Sequence, residues 1–132
     1  MGNRAVIAAS SNPKAPSIYL HWNGGTASVE GFFQAARLLG MRWLGDDIGA
    51  DFDRLAELIA RHFFNGHVGF TVYRQELGKA DTSNHDNGTY VIDRGFRVIH
   101  RYGAGCQNVE VDPEKTADII EHILQRAPIF NY

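Results

Sequence analysis

Apolar positions along this chain repeat with two different periods, and each change of period marks an element. Arg4 to Ala9 is a short β-type run, and Asn12-Pro13-Lys14-Ala15-Pro16 is turn chemistry. Ile18, Leu20 and Trp22 then alternate with Tyr19 and His21, the pattern of a half-buried strand. An N-terminal β-hairpin follows from that order. Asn23-Gly24-Gly25 supplies a tight turn at little steric cost. After it, Val29, Phe32, Phe33, Ala36 and Leu39 recur at helical spacing, which predicts a helix from about Ser28 to Leu39. Ser28 or Thr26 can cap it, and Gly40 stops it. Met41 to Gly45 is an apolar connector whose Trp43 is expected to fold back on the core. Phe52, Leu55, Ile59 and Phe63 form the inward stripe of a second helix, about Ala50 to Phe64, stopped by Asn65-Gly66.

Val68 to Tyr73 is the next predicted strand, with Val68, Phe70 and Val72 opposite Gly69, Thr71 and Tyr73. Residues 74–88 form a polar loop ending in the turn pair Asn87-Gly88. Thr89–Asp93 and Phe96–Tyr102 make a second hairpin turning at Arg94-Gly95, and Gly103-Ala104-Gly105 breaks its last strand. Asp112-Pro113-Glu114 opens a final helix that runs to about Gln125. The order ββααβββα, with short connections, predicts an α+β fold: a mainly antiparallel sheet of about five strands with helices on one face. No linker or repeat interrupts residues 1–132, so a single domain is expected.

Composition narrows the function classes. Apolar residues make up 44% and charged residues 21% of the 132, which is globular rather than disordered. The net charge of −2 is spread without long runs, which argues against polymeric nucleic acid or an anionic membrane as partner. A small anionic ligand needs only a few local arginines. The single cysteine, Cys106, forms no internal disulfide and suits a reducing compartment. Neither a basic-then-apolar leader pattern nor a run of membrane-spanning length is present, so a cytoplasmic location is expected.

Candidate chemistry falls at two places. The strand, glycine turn and helix start around Gly24 and Gly25 can present unpaired N–H groups to an anion, although Asn-Gly-Gly matches no phosphate-loop fingerprint. On the last strand Arg97 and Arg101 share a face by simple alternation, beside Tyr90 or Asp93 of its partner. Guanidinium forks suit phosphate oxygens and neighbouring rings can stack a base. The plain alternative is a solvent face on which Arg97 pairs with Asp93 or Glu110. Asn87, in the loop of oxygen donors from Asp81 to Gly88, can read an adenine edge, or simply shape a turn. That loop lacks the alternating acids of a calcium site and the ligand spacing of a zinc site, so neither metal nor cofactor is expected. His62 falls near the buried stripe of its helix, and no histidine stands in a nucleophile motif. An acid–base pair would need distant groups such as Glu30 with Asp46 or Asp47 to converge.

Two stretches carry a family likeness. Met1-Gly2-Asn3-Arg4-Ala5-Val6-Ile7, and Ile18 to Gly25 followed by Ser28-Val29-Glu30-Gly31-Phe32, resemble a family of small proteins from phages and gut bacteria. Asp86-Asn87-Gly88-Thr89-Tyr90-Val91-Ile92 is similar to that family as well. Through it, the chain resembles the first-described type of Thoeris anti-defence protein, a phage sponge for immune signals. That resemblance implies a non-catalytic homo-oligomer, with a hexamer as one assembly, that sequesters cyclic ADP-ribose variants and/or, at a separate site, cyclic oligonucleotides. It implies Phe70, Tyr73 or Tyr90 for stacking, Asn87 for the base, and Arg94, Arg97 or Arg101 for phosphates.

The expectation is therefore a self-associating domain that binds a small phosphorylated nucleotide without turning it over. Its rivals are an enzyme acting on a nucleotide or ADP-ribose through His21, Glu30 or Asp47, and an inhibitor module whose partner is another protein.

Overall fold

The computed structural model describes residues 3–41, 47–62 and 68–126. Strand β1 (Ala5–Ala8) pairs antiparallel with β2 (Pro16–Leu20), giving the expected N-terminal hairpin. Helices α1 (Thr26–Leu38) and α2 (Ile48–Ala60) follow, then strand β3 (Val72–Glu76) and a single 3-10 turn, Leu77–Lys79. The hairpin of β4 (Thr89–Ile92) and β5 (Val98–Tyr102) precedes the last helix, α3 (Pro113–Arg126). The sheet order is β3-β2-β1-β4-β5, and the fold is α+β with five strands and three helices in the expected order. One pair, β1 with β4, is parallel. The sequence offers no local sign of it, because these strands are 80 residues apart and their connection runs through four other elements.

Strand alternation assigns the two faces. Ala5, Ile7, Ile18, Leu20, Val72, Tyr90 and Ile92 point to one side, where Phe32 and Phe33 of α1, Phe52, Leu55 and Ile59 of α2, and Ile119 and Ile123 of α3 complete the main core. Burying aliphatic and aromatic side chains of this size contributes about 1.5–3 kcal/mol each, and this layer dominates stability. The opposite face carries a small cluster, Val6, Ala8, Leu77 and Val91, with Ala80 and Tyr102 against it.

Several boundaries differ from the sequence reading. Trp22 lies past the end of β2 and is exposed. β3 begins at Val72, because β2 offers pairing from Leu20 back to Pro16 and draws the polar residues 73–76 into the ladder. Phe70 is left at the turn before it, 98% exposed. α1 starts at Thr26 with Gly25 as its N-cap and no side-chain cap, so neither Ser28 nor Thr26 fills that role. Gly40, at φ 79, ends α1 as expected. α2 starts at Ile48, with the Asp47 carboxylate accepting from the Ala50 N–H. Trp43, Phe63, Phe64, the Asn65-Gly66 stop and Asp46 lie outside the described residues.

The hairpin at Arg94-Gly95 closes as expected, with the Asp93 side chain accepting from the N–H groups of Gly95 and Arg97. Its strands carry a bulge. Val91 pairs with His100 but Ile92 pairs with Val98, so Ile99 is the extra residue. A bulge moves the following alternation by one. Val98 and Arg101 therefore share the helix-side face and Arg97 is turned away, so the two arginines do not share a face as simple alternation would have it.

Candidate ligand-binding groove

On the helix side, between α1, α3 and the β4–β5 hairpin, lies a groove of about 620 Å³. Its walls are largely apolar: Ala27 and Val29 of α1, Val98 of β5, Val109 and Val111 of the preceding loop, Ala117 and Ile120 of α3. Tyr90 lies at its base, and Arg101 is its only basic residue among the described lining.

Arg101 is held rigidly. One terminal nitrogen donates to the carbonyl of Asn108 at 2.7 Å and the other to the carbonyl of Asn87 at 2.9 Å. Its guanidinium carbon sits 4.4 Å from the centre of the Tyr90 ring, a cation–π contact. All these partners are neutral. The Nε–H is buried without a hydrogen-bond partner among the described residues. Tyr90 in turn donates its hydroxyl to the Gly24 carbonyl at 2.7 Å, and burial pushes its pKa up to about 12.

Three acids also line the groove, and each has a partner, while the Glu110 Oε1 is buried without a hydrogen-bond partner among the described residues. Glu110 pairs with Lys115 at 2.8 Å, Glu30 pairs with Arg37 at 3.2 Å, and Asp112 caps α3 by accepting from the Lys115 N–H. Arg101 is thus the one charged lining residue with no opposite charge or helix terminus set against it among the described residues.

Gly24 and Gly25 frame the end of the groove rather than an open anion site. A Cβ on Gly24 would stand 2.6 Å from the Asn3 carbonyl oxygen and 2.7 Å from the Ala5 Cβ. A Cβ on Gly25 would meet a Glu110 carboxylate oxygen at 3.0 Å, so the chain's own carboxylate stands beside the α1 N-terminus. The Thr26 hydroxyl locks that arrangement by donating to the Glu110 carbonyl and accepting from its N–H, both at 2.7 Å.

The remaining sequence candidates lie elsewhere. Arg94 and Arg97 are exposed near the hairpin tip. Tyr73 stacks beside Tyr19 on the outer face of the sheet, ring centres 5.0 Å apart, and the Tyr19 hydroxyl bonds His21 there at 2.6 Å. Asn87 is buried with its amide donating to Asn3 and to the Arg4 carbonyl, and it serves the groove through the carbonyl that Arg101 grips. Its loop is organised by buried Asn84, whose side-chain oxygen accepts from Asp86, Asn87 and Gly88 while its amide donates to the Asp81 and Gly88 carbonyls. His62 is half-buried and meets His122 of α3, Nδ1 to Nδ1 3.1 Å. His21, Glu30 and Asp47 fall on the outer face, in the groove and at the cap of α2. No group of three or more metal-binding side chains occurs among the described residues, and no described helix is long and apolar enough to cross a membrane.

Glu110, Val109 and Val111 were not legible as groove residues. Residues 103–111 have no periodicity, and their place is set by contacts with Thr26 across 84 positions of sequence. Against known protein families, curated proteins and solved structures, the chain matches none.

Proposed function

We propose that this protein binds a small phosphorylated nucleotide in the groove and holds it without chemical change. The observation that carries this reading is Arg101: a fixed cation, uncompensated by any described carboxylate, at the wall of an apolar groove. A planar guanidinium seated on Tyr90 offers its outer face to a nucleobase, and each terminal nitrogen, donating once among the described residues, keeps a second N–H suited to an acceptor such as a phosphate oxygen. A pre-formed groove of this size covers most of a nucleotide's surface. In the setting the resemblance implies, the ligand is a cyclic ADP-ribose variant or cyclic oligonucleotide serving as an immune signal, and the protein is an anti-defence sponge that works as a homo-oligomer in the host cytoplasm. A sponge competes for a scarce signal and so needs nanomolar affinity, about −12 kcal/mol.

The test is equilibrium dialysis of the protein against cyclic ADP-ribose isomers and cyclic mono-, di- and trinucleotides, with the mass of the recovered ligand measured. Retention of an unaltered ligand supports the reading; a changed mass makes the protein an enzyme. Val109 and Val111, at 71% and 83% exposure, favour a second reading, a protein partner seated over the groove. Failure of every nucleotide to bind, with a host protein co-purifying, would favour it.

A further inference from the structure

Away from the groove, two histidines from different elements meet through their ring nitrogens. We infer that His62 and His122 together bind a divalent transition ion such as zinc.

His62 follows the C-terminal end of α2, and His122 stands on α3, 60 positions later. Their Nδ1 atoms lie 3.1 Å apart and their ring centres 5.1 Å apart. Two imidazole nitrogens that share one ion at 2.0–2.1 Å, with an angle of about 90–110° at the metal, lie about 2.8–3.4 Å from each other. Their ring centres then lie about 4.5–5.3 Å apart. Both separations in this protein fall inside those limits. The metal-free pair shares a hydrogen bond, so one Nδ1 carries a proton. Ion binding moves that proton to Nε2 of the same ring, and a neutral pair loses none.

The surroundings suit a cation that keeps part of its water. A cavity of about 340 Å³ opens beside His62, with the carboxylates of Glu114 and Asp118 in its lining. Water there completes the coordination, and the carboxylates can accept hydrogen bonds from it. Lys115 shares that lining but is paired with Glu110. Arg126 opposes an ion by its charge, although one of its terminal nitrogens donates to the Arg61 carbonyl. Burial, helped by the charges of His122 and Arg126, holds the His62 pKa below its ordinary value. His62 is therefore neutral at neutral pH, the form that ligates. The Phe32 ring, 5.8 Å away centre to centre, packs beside it. Nitrogen donors favour zinc, nickel or copper over magnesium and calcium, which take oxygen. A bound ion ties the end of α2 to α3, whose Ala117 and Ile120 wall the groove.

The test is titration of the unaltered protein with zinc chloride, followed by calorimetry and by proton–nitrogen correlation spectra of the imidazole rings. One ion per chain is expected, removed by a chelator, with the Nδ1 resonances of His62 and His122 moving together and magnesium without effect. His62→Gln and His122→Gln, each with its fold checked by circular dichroism, should bind zinc at least tenfold more weakly. If either variant fails to fold, the spectra of the unaltered protein decide. Absence of saturable binding, or shifts confined to His21, His85 or His100, overturns the inference. Undiminished binding in both folded variants overturns it as well.

Discussion

Arg101 lies with its guanidinium carbon 4.4 Å from the centre of the Tyr90 ring, directly across the β4–β5 ladder from it. The contact fixes a long, flexible side chain in one plane before any ligand arrives. Pre-organisation of this kind lowers the entropy cost of binding. Arg101→Gln should therefore weaken nucleotide binding by tenfold or more. Arg101→Lys keeps the charge but not the fork, and should recover only part of the affinity. Arg94→Ala and Arg97→Ala, away from the groove, should bind as the unaltered protein does; titration calorimetry on the four variants checks this.

Gly24 occupies a corner with no room for a side chain, 2.6 Å from the Asn3 oxygen to a would-be Cβ. Gly24→Ala is expected to destabilise the fold by about 1–3 kcal/mol, as overpacking of backbone against backbone does. Urea denaturation measures it. A wild-type midpoint would mean that the β1–β2–α1 corner is looser than described.

His62 and His122 tie the C-terminal turn after α2 to α3, and burial, helped by the charges of His122 and Arg126, holds the His62 pKa below its ordinary value. The unfolded chain then binds the proton more readily. The stability contributed is complete above about pH 6.5 and is lost as the pH falls from there through the folded-state pKa. The slope is at most about 1.4 kcal/mol per pH unit for one such proton. Denaturant midpoints between pH 7.5 and 5 should fall, and His62→Gln should flatten the fall. An equally steep fall in that variant assigns the effect to other groups.

Tyr90 shows the opposite sign at alkaline pH. Its folded pKa of about 12 stands above that of an unfolded tyrosine, so its contribution is present below about pH 10 and declines as pH rises toward 12. Tyr90→Phe removes the hydrogen bond to Gly24 and leaves that carbonyl unpaired, at a cost of about 1–3 kcal/mol. Ultraviolet titration of the phenol, with this variant as control, reads the pKa, and urea denaturation of the variant reads the stability cost.

The local patterns that define elements were legible because they depend on near neighbours: alternation gave β1, β2 and the β4–β5 hairpin, and Asp112-Pro113 gave the start of α3. The site was legible only in part. Arg101 and Tyr90 stood out by residue type, but simple alternation placed Arg97 with them because a one-residue bulge at Ile99 leaves no sequence mark. Asn87 had the right chemistry for a base, yet its amide is consumed by Asn3 and Arg4, residues more than 80 positions away. Capping by Thr26 failed for a similar reason, since its hydroxyl is taken by the main chain of Glu110. Long-range hydrogen bonds decided each case, and composition and spacing carry no information about them.

The most direct measurement is nuclear magnetic resonance mapping of the labelled protein titrated in turn with cyclic ADP-ribose, cyclic di-AMP and 3′,5′-cyclic AMP. Saturable shifts are expected, with at least one of these ligands, in the Arg101 Nε–H, the Tyr90 ring and the methyl groups of Val98, Val109 and Ile120. Shifts confined to the Tyr19–Tyr73 face, or none at saturating nucleotide, would contradict the nucleotide reading.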